Sequence, residues 1–168
     1  MEIRHSTKND ISSIMNIINQ AKASFKKHGI NQWQNNYPNH SVIEKDIELG
    51  ESYIIFMDNK IVGTFVLSFR IESTYNIIYD GAWLSEKPYA VIHRIAFDES
   101  IKGKGFSKFV LDHIYALCLK HERYSIRIDT HEDNQIMRHM LVSNGFILCG
   151  TIFLIDGNKR LAYERLLK

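Results

Sequence analysis

The spacing of apolar residues changes along the chain, and this change constrains the fold more than any other sequence feature. From Ile11 onward, apolar side chains recur every three or four residues, which predicts an amphipathic helix running to about residue 28. Thr7 and Asp10 have the spacing of a capping box at its start. Ser41 is expected to cap a second, short helix that extends to Leu49.

The hydrophobic period then falls to two, as in a β-strand. Residues 53–57 and 61–69 flank a turn at 58–60 and predict a hairpin. Residues 90–97 are apolar on both faces, which is typical of a central strand. The remaining predicted elements are a helix at 106–121, a strand at 124–128, a helix at 136–141, and strands at 146–153 and 160–166.

This order of elements predicts the α/β class, with a mixed, mostly antiparallel central sheet and helices on both faces. The 168 residues contain no repeat or linker, so residues 1–168 are expected to form a single domain. Cys118 and Cys149 lie among apolar neighbours and are expected to be buried, reduced thiols. Two cysteines so far apart suggest neither a disulfide framework nor a zinc site, and no metal is expected.

Charge and hydropathy limit the kinds of partner that such a domain is expected to bind. The 21 basic and 19 acidic residues give a formal net charge of +2, which does not favour nucleic acid. No apolar run reaches the roughly 18 residues that a membrane span requires, and the N-terminus lacks the apolar core of a signal peptide. A soluble protein of the cytoplasm is therefore expected.

The segment with the clearest chemistry is residues 95–107, where a central strand leads into a helix. Gly103 and Gly105 allow a sharp turn and close approach of a ligand, and the helix N-terminus presents free N–H groups and a positive dipole end. Lys102 and Lys104 add positive charge, so the loop suits a diphosphate. It lacks the Gly-Lys-Ser/Thr of a Walker loop and the third glycine of a dinucleotide fingerprint. A helix cap without a ligand is the alternative on this loop alone.

A second segment gives the loop a context. Asn134 precedes the next helix, and Gly145 and Phe146 follow it. Together with Gly103 and Gly105, these residues resemble the GNAT superfamily of N-acetyltransferases, in which Gly-x-Gly/Ala opens one helix, Asn begins the next, and Gly-Phe ends it. The resemblance covers essentially the whole chain. It implies a GNAT fold in which two central parallel strands splay apart to admit pantetheine.

The same resemblance implies acetyl-CoA as co-substrate, attacked directly by a neutral amine without an acyl-enzyme. The backbone at residues 95–97 would hold the pantetheine, the loop at 102–107 the pyrophosphate, and Asn134 the pantetheine arm. The implied cofactor-binding residues are Ile95, Ala96, Phe97, Lys102, Gly103, Lys104, Gly105, Phe106, Ser107 and Asn134.

Proton transfer is less clearly assigned by the sequence. His93 is the first candidate for the general base because it lies on the strand that leads to the acyl site and imidazole titrates near neutral pH. The alternative is a hydrogen-bonded core histidine. Leu141 stands where many family members carry a tyrosine that protonates the leaving thiolate. Tyr163 and Tyr89 are alternative acids, as is water.

The acceptor is expected to be a primary amine of a small molecule or peptide. Trp33 and Tyr37, in an aromatic and polar loop, are candidate substrate residues, with Trp83 as a further wall of the site. The two loop aromatics could instead pin the loop onto the core. The alternative function is a non-catalytic acyl-CoA-binding sensor or interaction module. A homodimer through the edge of the sheet is a further expectation.

Overall fold

A computed structural model describes residues 1–167, which divide into two compact units. The first unit comprises Met1–Leu67 and His93–Val110, and the second comprises Ser68–Ile92 and the chain from Leu111 onward. The helices are α1 (Ile11–Lys27), α2 (His40–Glu48), α3 (Phe106–Lys120) and α4 (Gln135–Ser143). The strands are β1 (Glu2–His5), β2 (Ser52–Met57), β3 (Lys60–Ser68), β4 (Tyr89–Phe97), β5 (Ser125–Thr130), β6 (Ile147–Phe153) and β7 (Lys159–Leu166).

The strands of the first unit follow the order β1-β2-β3-β4. The pairings of β1 with β2 and of β2 with β3 are antiparallel. Asp58 and Asn59 join β2 to β3 with φ angles of 48° and 62°, the left-handed conformation that tight hairpins require. The hairpin predicted from the alternating pattern is therefore present.

The core of the first unit forms where the apolar face of α1 meets the sheet and α2. Ile14, Ile18, Ile43 and Ile54 are each no more than 2% exposed and belong to one cluster. Ala96 of β4 belongs to the same cluster. Burial of a large apolar side chain contributes about 1.5–3 kcal/mol, so this cluster stabilises the end of β4 that carries Ala96.

The second unit has the strand order β4-β5-β7-β6. Tyr89–Val91 of β4 pair in parallel with residues 125–127 of β5, whereas β5–β7 and β6–β7 are antiparallel. Tyr75, Val91, Ile152 and Ala162 form its core cluster. Strand β4 begins in this unit and continues into the first through His93–Phe97.

These elements confirm the α/β class and the mixed, mostly antiparallel sheet. One detail of the prediction is wrong, because Asn39 rather than Ser41 caps α2. The backbone of Asn39 is extended and its side chain accepts the N–H of Val42, while the Ser41 hydroxyl donates to the Asn39 amide oxygen. Across residues 1–167, no helix has the length and apolar character needed to cross a bilayer.

Candidate functional site

The glycine loop has the backbone that its sequence suggested. Gly103 and Gly105 adopt φ angles of 75° and 77°, a region that costs an L residue roughly 1–2 kcal/mol. A Cβ built on either glycine would meet nothing within 4 Å. Backbone conformation, and not crowding by the protein, therefore explains these two glycines, and the space beside them is open.

The loop leads directly into the first turn of α3. The N–H groups of Phe106 and Ser107 occupy this turn, where a helix leaves its amides without intrahelical acceptors. Lys104 and Lys108 donate their N–H groups to Ile101 and Gly105 at 3.4 Å, which closes the turns on either side. Open amides at the positive end of a helix dipole, next to exposed lysines, fit an anionic diphosphate.

Asp98 anchors the start of this loop through a local partner, Ser100, and a distant one, Gln20. Its Oδ1 accepts the N–H and the hydroxyl of Ser100 at 3.0 and 2.6 Å. Its Oδ2 accepts Gln20 Nε2 from α1 at 2.8 Å, and Gln20 Oε1 accepts the Glu99 N–H at 3.0 Å. The hydrogen bonds from Ser100 and Gln20 lower the pKa of Asp98. A local turn and a distant helix together fix where the loop leaves β4.

The end of β4 lies tightly against β3. Ile95 and Ala96 are buried and Phe97 is half-buried. A Cβ on Gly63 of β3 would lie 2.6 Å from Ile55 Cδ1 and 3.2 Å from the Ala96 carbonyl oxygen. Glycine at position 63 therefore permits the close approach that holds residues 95–97 in place.

Arg94 interrupts the regular backbone of β4 beside these residues. Its φ of 50° is unusual for a residue with a side chain, and its guanidinium donates from Nε and Nη2 to the two carboxylate oxygens of Asp46, at 2.8 and 2.7 Å. Nη1 donates to the Tyr37 hydroxyl at 2.6 Å. The side chains of Arg94 and Asp46 are only 13% and 7% exposed. Burial raises the pKa of Asp46, while the charge and hydrogen bonds of Arg94 act to lower it.

His93 is half-buried and adjoins Arg94. Burial has the largest effect on the pKa of Asp46 and raises it, whereas His93 acts to lower that pKa, less than Arg94 does. Residues 93–107 all belong to the first unit. This stretch of chain contains the predicted base, the residues predicted to bind pantetheine and the glycine loop.

The loop between α1 and α2 contributes Trp33 and Tyr37 to the same unit. Trp33 packs against the core cluster of the first unit, edge to face with Phe25 at 5.5 Å. Lys22 Nζ donates to the Pro38 carbonyl oxygen at 2.5 Å. Tyr37 is 42% exposed. Trp33 thus pins the loop onto the core, while Tyr37 presents its ring to solvent.

Two predicted site residues belong to the second unit. Asn134 is buried and caps α4, its side-chain oxygen accepting the Met137 N–H at 3.2 Å. Trp83 is half-buried, donates its indole N–H to the Tyr75 carbonyl at 2.9 Å, and lies 4.2 Å from the Arg127 guanidinium. Both side chains therefore have structural roles within the second unit.

The candidates for proton donation also lie in the second unit. Leu141 is completely buried. Tyr163 is 2% exposed and its hydroxyl accepts Arg138 Nε at 3.3 Å. The half-buried Tyr89 accepts the Glu72 N–H at 3.3 Å. Each of the two hydroxyls is thus held by a donor of the protein.

The two cysteines are free and buried, as predicted. Burial raises the pKa of Cys118 to about 12 and also raises that of Cys149. In the part of the chain that the structure describes, no three His, Cys, Asp or Glu side chains are grouped so as to hold a metal ion.

A mixed sheet whose central strand runs through a glycine loop into a helix agrees with the class of acyl-CoA-dependent acyltransferases that the sequence predicted. The family model described as Acetyltransferase (GNAT) family matches residues 15–146. The chain belongs to the GNAT family of acetyltransferases, and it is accordingly an N-acetyltransferase whose family uses acetyl-CoA.

Solved structures agree with this assignment. A GNAT family acetyltransferase from Streptococcus agalactiae is 34% identical, with a TM-score of 0.90 over 99% of this chain and 95% of that chain. A ribosomal-protein-alanine N-acetyltransferase from Brucella melitensis is 15% identical, with a TM-score of 0.71 and coverage of 99% and 100%. The protein yncA of Salmonella typhimurium, solved with its cofactor acetyl-CoA, is 13% identical, with a TM-score of 0.70 and coverage of 100% and 94%. The last two show the fold alone. No curated protein matches the sequence.

Proposed function

We propose that the protein transfers the acetyl group of acetyl-CoA to a primary amine of a small molecule or peptide, by direct attack of the amine on the thioester. The observation that carries this proposal is the loop at 102–107. Two left-handed glycines, open space and unpaired helix amides together suit the CoA pyrophosphate. Lys102 and Lys104 would supply mobile positive charge at its rim.

The backbone of Ile95, Ala96 and Phe97 would hold the pantetheine and the acyl carbonyl. Their strand contributes Ala96 to the core cluster and lies in close contact with Gly63. Such packing matters because a donor fixed in advance stabilises developing negative charge without reorganising. Asn134 would contact the pantetheine arm, as the family resemblance implies.

Direct attack is supported by the state of the two thiols. A nucleophilic cysteine needs an accessible thiolate, but Cys118 and Cys149 are buried and burial raises the pKa of both. His93 would accept the ammonium proton, directly or through water, from its position next to the acyl-binding stretch. With Leu141 buried in place of the tyrosine, water is the simplest proton source for the leaving thiolate.

The acceptor would bind against the loop between α1 and α2, through Trp33 and Tyr37. Trp83 stays a prediction from the sequence. The near-neutral net charge of +2 does not favour nucleic acid as substrate. A cytoplasmic location and a homodimer remain predictions from the sequence.

Calorimetric titration with acetyl-CoA tests the loop directly when wild type is compared with Gly105→Asp. The new carboxylate would face the pyrophosphate, so binding should be lost. Gly157→Asp is a matched control, because Gly157 also has a left-handed φ (82°) and nothing within 4 Å of a built Cβ. Equal acetyl-CoA affinity in the two variants would refute the loop assignment.

Free-thiol release in the same samples, measured against a panel of amines, tests catalysis. Release that depends on an amine identifies the transferase, whereas binding without release from any amine would favour the acyl-CoA sensor. His93→Ala should slow turnover chiefly at low pH, where the amine is hardest to deprotonate. A pH–rate profile that overlays the wild type would make His93 a structural residue.

A further inference from the structure

Tyr37 is held as a hydrogen-bond donor at an exposed position. Its oxygen accepts Arg94 Nη1 at 2.6 Å, so the phenolic proton points away from the guanidinium. A phenolic hydroxyl has a single proton to donate, and Tyr37 is 42% exposed. The hydroxyl can therefore donate to a molecule that approaches from solvent.

Arg94 adds further donors at the same place. A guanidinium has five N–H groups, and three of them donate to Asp46 and Tyr37. Among the described residues this leaves two N–H groups of Arg94 for another partner. The bond to Tyr37 runs to an exposed residue, whereas the bonds to Asp46 run to a buried one.

The negative charge near this pair comes from Asp46 and from Glu51, whose charge raises the pKa of Asp46. Asp46 is already engaged by both of its oxygens, and the neighbouring side chains of the loop, Gln34, Asn35 and Asn36, are neutral. A hydroxyl donor beside a guanidinium edge matches the two oxygens of a carboxylate. A polycationic acceptor gains nothing from it.

We infer that Tyr37 and Arg94 bind a carboxylate of the acceptor, and this inference rests on the proposed function. The acceptor is therefore an amino acid or a similar amino-carboxylic acid. The amine nitrogen of such an acceptor would lie a few bonds from the anchored carboxylate, and His93 adjoins Arg94 in the chain. Anchoring one end of a small acceptor in this way converts a bimolecular encounter into a positioned attack.

The donors are fixed before the acceptor arrives. Asp46 accepts two hydrogen bonds from Arg94. Arg94 has a left-handed backbone, which a residue with a side chain adopts only when the surrounding structure stabilises it. Lys22 and Trp33 hold the loop that carries Tyr37. Binding therefore requires little ordering of the protein, which is the condition under which a few hydrogen bonds give useful affinity.

The test combines one protein change with one substrate change. Initial rates of CoA release are measured for the proteinogenic amino acids, for their amides, and for the matching decarboxylated amines, such as phenylalanine, phenylalaninamide and phenethylamine. Tyr37→Phe removes only the hydroxyl. Tyr79→Phe is the matched control, since Tyr79 is also an exposed tyrosine (48%) and belongs to the second unit.

We expect kcat/KM to be highest for an amino acid and to fall about tenfold in Tyr37→Phe, as loss of one charge-assisted hydrogen bond implies. The same variant should change kcat/KM for the decarboxylated amine by less than about twofold, and KM for acetyl-CoA should not change. The Tyr79→Phe variant should match wild type with every acceptor.

Equal effects of Tyr37→Phe on the acid and on the decarboxylated amine would overturn the inference while leaving the transferase intact. Amides used as well as the free acids would also overturn it, by pointing to a neutral carbonyl such as that of a peptide. Acetyl-CoA binding without CoA release from any amine would refute the transferase function itself and the acceptor assignment with it.

Discussion

Asp46 and Glu44 lie on the same helix and both form ion pairs of similar length, but they differ in burial. The pair of Asp46 with Arg94 is 2.7 Å long and its side chains are 7% and 13% exposed. The pair of Glu44 with Lys8 is 2.9 Å long and its side chains are 37% and 61% exposed. The two carboxylates therefore allow a buried pair with two hydrogen bonds to be compared with an exposed pair on the same helix.

Asp46→Ala should destabilise the fold strongly because it leaves the Arg94 guanidinium buried without its counter-charge. Loss of one partner of a buried pair costs about 3–5 kcal/mol. With a urea m-value of about 2 kcal/mol/M, this corresponds to a midpoint lowered by about 1.5–2.5 M. Glu44→Ala should lower it far less, because water replaces the lost contact on an exposed side chain. Asp is a poorer helix former than Glu, so Asp46→Ala gains more helix propensity than Glu44→Ala, and propensity cannot produce the expected order.

Equilibrium unfolding in urea, followed by circular dichroism and tryptophan fluorescence, measures both variants. The double variant Asp46→Ala/Arg94→Met completes the test, because removing both charges should restore part of the loss. Equal midpoints for the two single variants, or a double variant less stable than the sum of its parts, would refute the reasoning that Asp46 compensates a buried charge.

Three further predictions concern the thiols, the loop anchor and acid stability. Neither cysteine should react with Ellman's reagent in the native protein and both should react in guanidinium chloride, since burial raises the pKa of Cys118 to about 12; rapid labelling of the native protein would contradict their burial. Asp98→Ala should weaken acetyl-CoA binding about tenfold, or about 1.4 kcal/mol, because it releases the start of the glycine loop. Asp156→Ala removes a similar local turn bond and should leave the affinity unchanged. Titration calorimetry compares the affinities of the two variants. The hydrogen bond from Arg4 holds the pKa of Asp10 below its usual value, so its stabilisation is present above pH ~4 and lost as the pH falls through the lowered pKa. Asp10→Asn should therefore flatten the decline of the unfolding free energy between about pH 4 and 2, and unchanged steepness would count against this assignment.

Periodicity was enough to predict the order of the helices and strands, because each amphipathic face buries apolar side chains at its own spacing. The glycine loop was also predictable, since Gly103 and Gly105 need conformations that other residues avoid. The cap of α2 was not, because Asn39 and Ser41 are both good caps and the choice depends on which residue takes the extended backbone. Local sequence cannot resolve that choice.

Long-range polar contacts were beyond the reach of the sequence. Arg94 meets a carboxylate 48 positions away and Asp98 meets Gln20 from α1. Neither pair has a spacing that marks it, because only the folded sheet and helices bring the partners together. The sequence pointed to His93 as the functional residue of β4, whereas the structure adds its neighbour Arg94, whose left-handed backbone no propensity would suggest.

The interleaving of the two units along the chain has a consequence for how this protein can be made and divided. The first unit takes its residues from 1–67 and 93–110, and the second from 68–92 and the chain beyond 111. During synthesis, the first unit lacks part of β4 and the glycine loop until residue 110 has emerged, by which time a piece of the second unit is already present. A single cut anywhere in the chain yields no fragment that contains one whole unit and nothing else, so neither unit corresponds to one continuous stretch of sequence.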